Sequence, residues 1–189
     1  EQECIDLAAA LDIPFDEVID HVLSLYPNSE ASRSHCFYET SDVALSLSRS
    51  GIRYDCNLIL YLERDLRPWR HGSGLIKMPT FWGDNQAMRG SLGEPWDRSR
   101  VRERLFSPGL KILNVHPFLF GLDIPNLETY EDERHLVRTA DVALVRERAR
   151  HSGGCRATFL DLVGRILEAG HQFHSLRDLY KSYVDGLWD

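Results

Sequence analysis

The sequence predicts an α/β fold with a parallel sheet, on three observations. Strand-favouring segments alternate with amphipathic helical ones between residues 33 and 61, the strand, helix, strand order that suits parallel pairing through crossover helices. Residues 111–117, Lys-Ile-Leu-Asn-Val-His-Pro, read as a buried strand that ends on His116 locked ahead of Pro117. Two more strand ends carry chemistry: Arg33-Ser34-His35, and the run from Ile76 into the aromatic, acidic turn Phe81-Trp82-Gly83-Asp84. Barrels of the α/β class present catalytic groups at the C-terminal ends of their strands. These three ends together therefore make a candidate metal or hydrolase site.

Taken in order, the chain opens with an amphipathic helix through Ile5, Leu7, Ala8 and Leu11, interrupted near Pro14. A second helix starts at Asp12-Ile13-Pro14, with Phe15, Val18, Ile19, Val22 and Leu23 at helical spacing, and Pro27-Asn28-Ser29 mark its exit. A short strand runs through His35 to Phe37. A helix follows from Ser41, its stripe supplied by Val43, Ala44 and Leu47, and Gly51 is its left-handed cap. Residues 52–61 read as a strand. The polar linker 63–74 contains Pro68-Trp69-Arg70-His71 as a site-rimming loop, and a strand covers residues 78–82. Residues 83–108 show little pattern. After the His116 strand and Phe118-Leu119-Phe120, residues 128–134 read as a mobile excursion and 138–150 as a surface helix. Residues 158–169 form a helix ended by Gly170, residues 172–176 a short edge strand, and a last helix closes the chain.

At 189 residues with 43% hydrophobic content, the chain can bury one real core, and a single domain over residues 1–189 is expected. A net charge of −7 argues against a nucleic-acid partner that depends on a basic footprint. The arginines between Arg98 and Arg104 read as a solvated helix or loop rather than a phosphate grip. Cys4, Cys36, Cys56 and Cys155 are widely spaced, which fits reduced thiols and a cytoplasmic location rather than a zinc knuckle or a disulfide framework. No apolar run approaches the roughly 20 residues that span a bilayer. Glu1 enters helix-like sequence directly, so the expectation is that the domain is truncated before residue 1.

Each candidate side chain has a chemical and a structural reading. His35 suits a zinc or other divalent ligand, or is a partly buried histidine satisfied by backbone groups. His116 can serve as a general acid, a metal ligand or a core histidine. Asp84 can orient a histidine, bind metal, act as base, or cap the helix that follows. Trp82 and Phe81 can stack on a sugar ring or fill the core. Arg70, beside Trp69, can grip an anionic substituent, and His71 can add a ligand; the alternative for all three is a solvated turn. Asp55 and Asn57 share one face of a strand as structural or site groups. His21, His135, His151, His171 and His174 lack helical ligand spacing and are read as non-catalytic.

The ordered motifs Arg-Ser-His, Gly-Ile-Arg-Tyr-Asp-Cys-Asn, Pro-Trp-Arg-His, Met-Pro-Thr-Phe-Trp-Gly-Asp and His-Pro resemble the polysaccharide deacetylases. They look most like the divergent WbmS-like branch from bacterial surface-polysaccharide (O-antigen) clusters. Gly153-Gly154-Cys155-Arg156-Ala157-Thr158-Phe159-Leu160 is similar to that branch's entry into its last barrel helix, and Asn126 to Tyr130 to its segment after the His-Pro strand.

The resemblance implies a distorted (β/α) TIM-like barrel of the NodB type, incomplete at the N-terminus. It implies a metal-dependent hydrolase that removes N-acetyl groups from a surface polysaccharide or its precursor, with zinc as the divalent ion. Carried onto this chain, His35 is the expected metal ligand and His116 the general acid, with His71 a further candidate ligand if the site is rebuilt. Asp84 is expected to orient the acid or bind the ion, and Trp82, Phe81, Trp69 and Arg70 to contact the carbohydrate. The family's Asp-Asp strand has no counterpart here, nor has its second histidine a few residues after the first. Either the first strand precedes Glu1 or the site is rebuilt with His71 or Asp84. The other expectation consistent with those departures is a non-catalytic glycan-binding or scaffold protein on a degenerate barrel.

Overall fold

The computed structural model describes residues 14–90, 95–138, 141–149 and 153–188. In chain order the elements are α1 (Phe15–Leu25), β1 (Ala31–Ser32), α2 (Ser41–Arg49), β2 (Tyr54–Asp55), β3 (Trp69–Arg70), β4 (Ile76–Lys77), β5 (Thr80–Gly83) and α3 (Asp84–Met88). They continue with α4 (Arg98–Leu105), β6 (Ile112–Asn114), α5 (Pro117–Leu122), α6 (Leu127–Glu133), α7 (Val142–Arg148), α8 (Cys155–Glu168) and α9 (Leu176–Val184). Short 3-10 turns cover His35–Phe37 and Arg134–Arg138. The chain forms two compact units. The first takes its described residues from Glu1–Ile59, Leu66–Thr80 and His174–Asp189, the second from Leu60–Asp65 and Phe81–Phe173.

The first unit holds a four-stranded sheet in the order β1-β2-β4-β3. β1, β2 and β4 are parallel, and β3 returns antiparallel to β4. The register places Ser32 beside Asp55 and Asp55 beside Lys77. Helix α2 begins where Thr40 accepts the Val43 N–H at 3.2 Å, the short-range capping bond that threonine makes at a helix start. It ends at Gly51, whose φ of +89° is cheap only for glycine. Val43, Ala44 and Leu47 bury one face of that helix with Ile19, Ile52 and Leu75.

The second unit pairs β5 with β6 and surrounds them with helices. Phe81, Trp82, Leu122, Ile124 and Leu162 are among its fully buried apolar side chains. Helix α8 packs against both α3 and α5, which brings sequence-distant segments to one place.

The α/β class and the parallel crossover pairing are present; the strands among the described residues do not close into a barrel. Several local expectations are corrected. His35 to Phe37 is a 3-10 turn with Cys36 and Phe37 at positive φ, not strand. The strand read over residues 52–61 is limited to Tyr54–Asp55 plus one bridge at Ile59. Trp69 and Arg70 are β3, so the expected rim loop is one arm of a hairpin. Residues 83–108 contain α3 and α4, and 128–133 lie in α6, which Asn126 caps through the Thr129 N–H, with Arg134 opening the 3-10 turn. Residues 172–176, expected as an edge strand, are not strand, and Leu176 already opens α9. The helix expected through Ile5 and Leu11, Cys4, and His151 lie outside the described residues.

Candidate functional site

Two local constraints deliver Asp84 and His116. Gly83 is extended and hands the chain from β5 to α3, leaving Asp84 in the first helical turn with its Oδ1 accepting the Asn85 N–H at 2.8 Å. His116 follows β6 and precedes a proline, which disfavours a helical backbone at that position. It is extended (φ −90°, ψ 124°), and Pro117 starts α5 at a position where a missing N–H costs nothing.

These two turns place the side chains in contact. Nδ1 of His116 donates to Asp84 Oδ1 at 2.6 Å, and the main-chain N–H of His116 donates to Oδ2 at 2.6 Å. The Cys155 thiol donates to Oδ2 at 3.5 Å. Asp84 is fully buried whereas the His116 side chain is 41% exposed. A carboxylate accepts only, so the shared proton sits on Nδ1 and fixes the imidazole tautomer. No described residue bonds Nε2, so that nitrogen is the one able to take or give a proton. A histidine oriented through Nδ1 by a buried acid and presenting Nε2 is the arrangement used for proton transfer at acyl centres.

The other expected site residues fall elsewhere. Trp82 and Phe81 are fully buried, Trp82 stacked on Phe159 and Phe81 beneath the Lys111 ammonium, so neither offers a face to a sugar. That corrects the substrate-stacking expectation: strand β5 is buried at every position, and the aromatic rings fill the core. His71 closes the β3–β4 hairpin, its Nδ1 in contact with the Ser73 hydroxyl at 2.9 Å and accepting the Ser73 N–H at 3.1 Å. Arg70 donates to the Gly74 carbonyl across the same turn, and Trp69 is half-buried. His35 is exposed on its 3-10 turn.

Sequence reading missed two groups of residues. Lys77 is 2% exposed and pairs with Asp55 at 2.7 Å and with Glu39. Burial pushes the Asp55 carboxyl up, with the Lys77 hydrogen bond opposing it. Asn57 adds its N–H to Asp55 and accepts the Ser34 N–H, so the open reading of Asp55 and Asn57 closes on a buried polar network that ties strand ends together. Cys155 is the second miss; burial and the neighbouring Asp84 charge push its thiol well up. The only sequence signal for it was the Gly-Gly pair just before an apolar helix.

A family model described as "WbmS-like: Polysaccharide deacetylase" matches residues 7–134, over half of the chain. The chain belongs to the WbmS-like polysaccharide deacetylase family. Among solved structures it is similar to WbmS of Bordetella bronchiseptica, whose crystal structure is described as that of a candidate polysaccharide deacetylase involved in O-antigen biosynthesis. The match has a TM-score of 0.63 at 24% identity and covers 79% of this chain and 61% of that one. It shows a shared fold, of which this chain spans 61% of the relative's length. No curated protein matches the chain.

The WbmS-like family resemblance implies a divalent ion. Among the described residues no three His, Cys, Asp or Glu side chains are grouped to hold one. His35 has no such neighbours, the His71 ring is engaged by its own turn, and the Asp84 carboxylate is filled by four donors. The described residues therefore do not fit a metal centre at the expected positions. No described helix is long and apolar enough to cross a membrane.

Proposed function

We propose that the chain is a carbohydrate N-deacetylase, a hydrolase of non-peptide amide bonds, acting on a bacterial surface polysaccharide or its precursor. The observation that carries this reading is the Asp84–His116 pair, with Nδ1 held by a buried carboxylate and the ring part-exposed. Family membership supplies the reaction class, and the O-antigen role in the description of the Bordetella relative supports the glycan class. The strand–helix alternation is read as part of a distorted (β/α) barrel, and action on a precursor would place the protein in the cytoplasm.

In this reading His116 is the catalytic residue. Once water has added to the amide carbonyl, the imidazolium gives its Nε2 proton to the nitrogen of that adduct as the C–N bond breaks, releasing acetate and the neutral amine. A neutral amine is a far better leaving group than an amide anion, and a positioned acid of this kind contributes roughly 10²–10⁴-fold. Asp84 is a positioning residue: it fixes the tautomer and stabilises the imidazolium, in a dry setting that strengthens the bond. Zinc stays the ion proposed for the activity, and none of the proton chemistry assigned to His116 passes through it.

The test is acetate release from N-acetylated oligosaccharides, with zinc added or chelated. Release that disappears in His116→Ala supports the reading. The second reading is a non-catalytic glycan-binding or scaffold protein on a degenerate deacetylase barrel. Saturable glycan binding with no acetate release under any metal condition would establish that one instead.

A further inference from the structure

Asp84 Oδ2 receives two donors, and neither is the imidazole, which sits on Oδ1. The second, the Cys155 thiol, lies in the first turn of α8, outside the span matched by the family model. Two hydrogen bonds and one close backbone approach anchor that turn to the end of the helix His116 begins. The Cys155 N–H donates to the Ile124 carbonyl at 3.2 Å. Asp123, buried and left-handed after α5, accepts the Ala157 N–H at 3.2 Å and so caps α8 from outside, since Gly154 has no side chain to do it. At Gly154 a Cβ would stand 2.2 Å from the Asp123 carbonyl oxygen, so glycine is what lets α8 come this close.

We infer that Cys155 is a positioning residue for the Asp84–His116 pair, its S–H holding Oδ2 so that Oδ1 stays on the imidazole. An oxygen held by one donor is less firmly fixed than one held by two, and without the thiol Oδ2 would rest on the His116 main chain alone. Asp84 is held by Asn85 and the imidazole on Oδ1, and by the His116 main chain and Cys155 on Oδ2. Burial keeps Cys155 in its thiol form, so it remains a donor rather than a competing anion. The inference rests on His116 as the group that moves the proton.

Two readouts test it. In Cys155→Ala, the imidazole Nδ1–H resonance of His116 is expected to exchange faster with water, and kcat for acetate release to fall about fivefold at unchanged KM. Cys155→Ser, which keeps a donor, should restore both. If Cys155→Ala keeps a protected Nδ1–H and full kcat and loses only melting temperature, Cys155 is core filling and the inference is overturned. If the wild-type protein releases no acetate, the deacetylase reading fails by itself, and the proton-exchange comparison still decides whether Cys155 positions the pair. Should Cys155→Ala not fold, the infrared S–H band assigned by difference against Cys155→Ser decides. A band shifted by hydrogen bonding upholds the contact, and one at the free-thiol position removes it.

Discussion

The carboxylate of Asp84 grips His116 twice, at the ring through Nδ1 and at the main chain through N–H, each at 2.6 Å. One buried group thus sets both the tautomer of the imidazole and the exit of the chain from β6. Asp84→Asn should break the first role while keeping the shape, because an amide can donate to Nδ1 and invert the tautomer. We expect acetate release to fall by about 10²–10⁴-fold. His116→Ala should fall comparably, and the double variant should be little worse than either, since the two act as a unit. Additive losses in the steady-state assay would count against a coupled pair.

Lys77→Met should destabilise the first unit by roughly 3–5 kcal/mol, because it strands Asp55 in a buried site without its cation. Burial raises the folded Asp55 pKa above its unfolded value, so the protonated form is favoured on folding and that stability is lost as pH rises through the folded value. Removing Lys77 takes away the opposing influence. The penalty should therefore be larger at about pH 8 than at about pH 4, measured by urea unfolding. A penalty that grows on acidification would contradict this.

Gly154→Ala should cost about 1–3 kcal/mol, since the added methyl meets carbonyl oxygens of Asp123 and Ile124 that belong to packed backbone. Thermal melting reads the cost. Gly121→Ala, where a Cβ meets nothing within 4 Å, serves as the control and should be close to neutral.

Thiol labelling should separate the described cysteines. Cys36 is exposed and should alkylate readily near neutral pH. Cys56 is buried with its thiol pushed up to about 12 by desolvation, and Cys155 is raised as well. Neither forms thiolate in the native protein at mild pH, so peptide mapping should find both unmodified until denaturant is added. Native-state modification of Cys155 would mean that α8 opens away from Asp84.

Asp97 accepts the Ser99 hydroxyl at 2.7 Å and the Arg100 N–H at 3.1 Å, bonds that hold its carboxyl below the usual range. A lowered folded pKa means stability present above the unfolded value and lost as pH falls through the folded one. Asp97→Ala should cost about 1 kcal/mol near neutral pH, the usual worth of a helix cap. The difference from wild type should vanish once the carboxyl is protonated in acid. A constant difference across pH would assign the effect to something other than this cap.

Much of the fold was legible because its signals are local. The α2 stripe of Val43, Ala44 and Leu47 with Gly51 behind it, the β6 run into His116-Pro117, and the apolar face of α8 all depend on neighbours in sequence. The misreadings came where local patterning is mute. Residues 84–88 and 98–105 fold into helices that the pattern does not announce, α4 with only Val101 and Leu105 buried. Trp82 and Phe81 have the composition of a sugar platform, and only burial on both faces of β5 shows them to be core.

Residue order alone was enough for the α/β class and for family membership, and it singled out Asp84 and His116 as candidates at strand ends, because spacing, proline restriction and motif order are written along the chain. Tertiary structure decided which groups meet. A hydrogen bond at 2.6 Å between residues 84 and 116, a thiol 71 positions away on the same carboxylate, and a lysine ammonium sunk between Asp55 and Glu39 arise from packing between segments. Such contacts leave no periodic trace in a sequence. Their geometry depends on how closely backbones can approach, and at Gly154 that approach hangs on the absence of a single carbon atom.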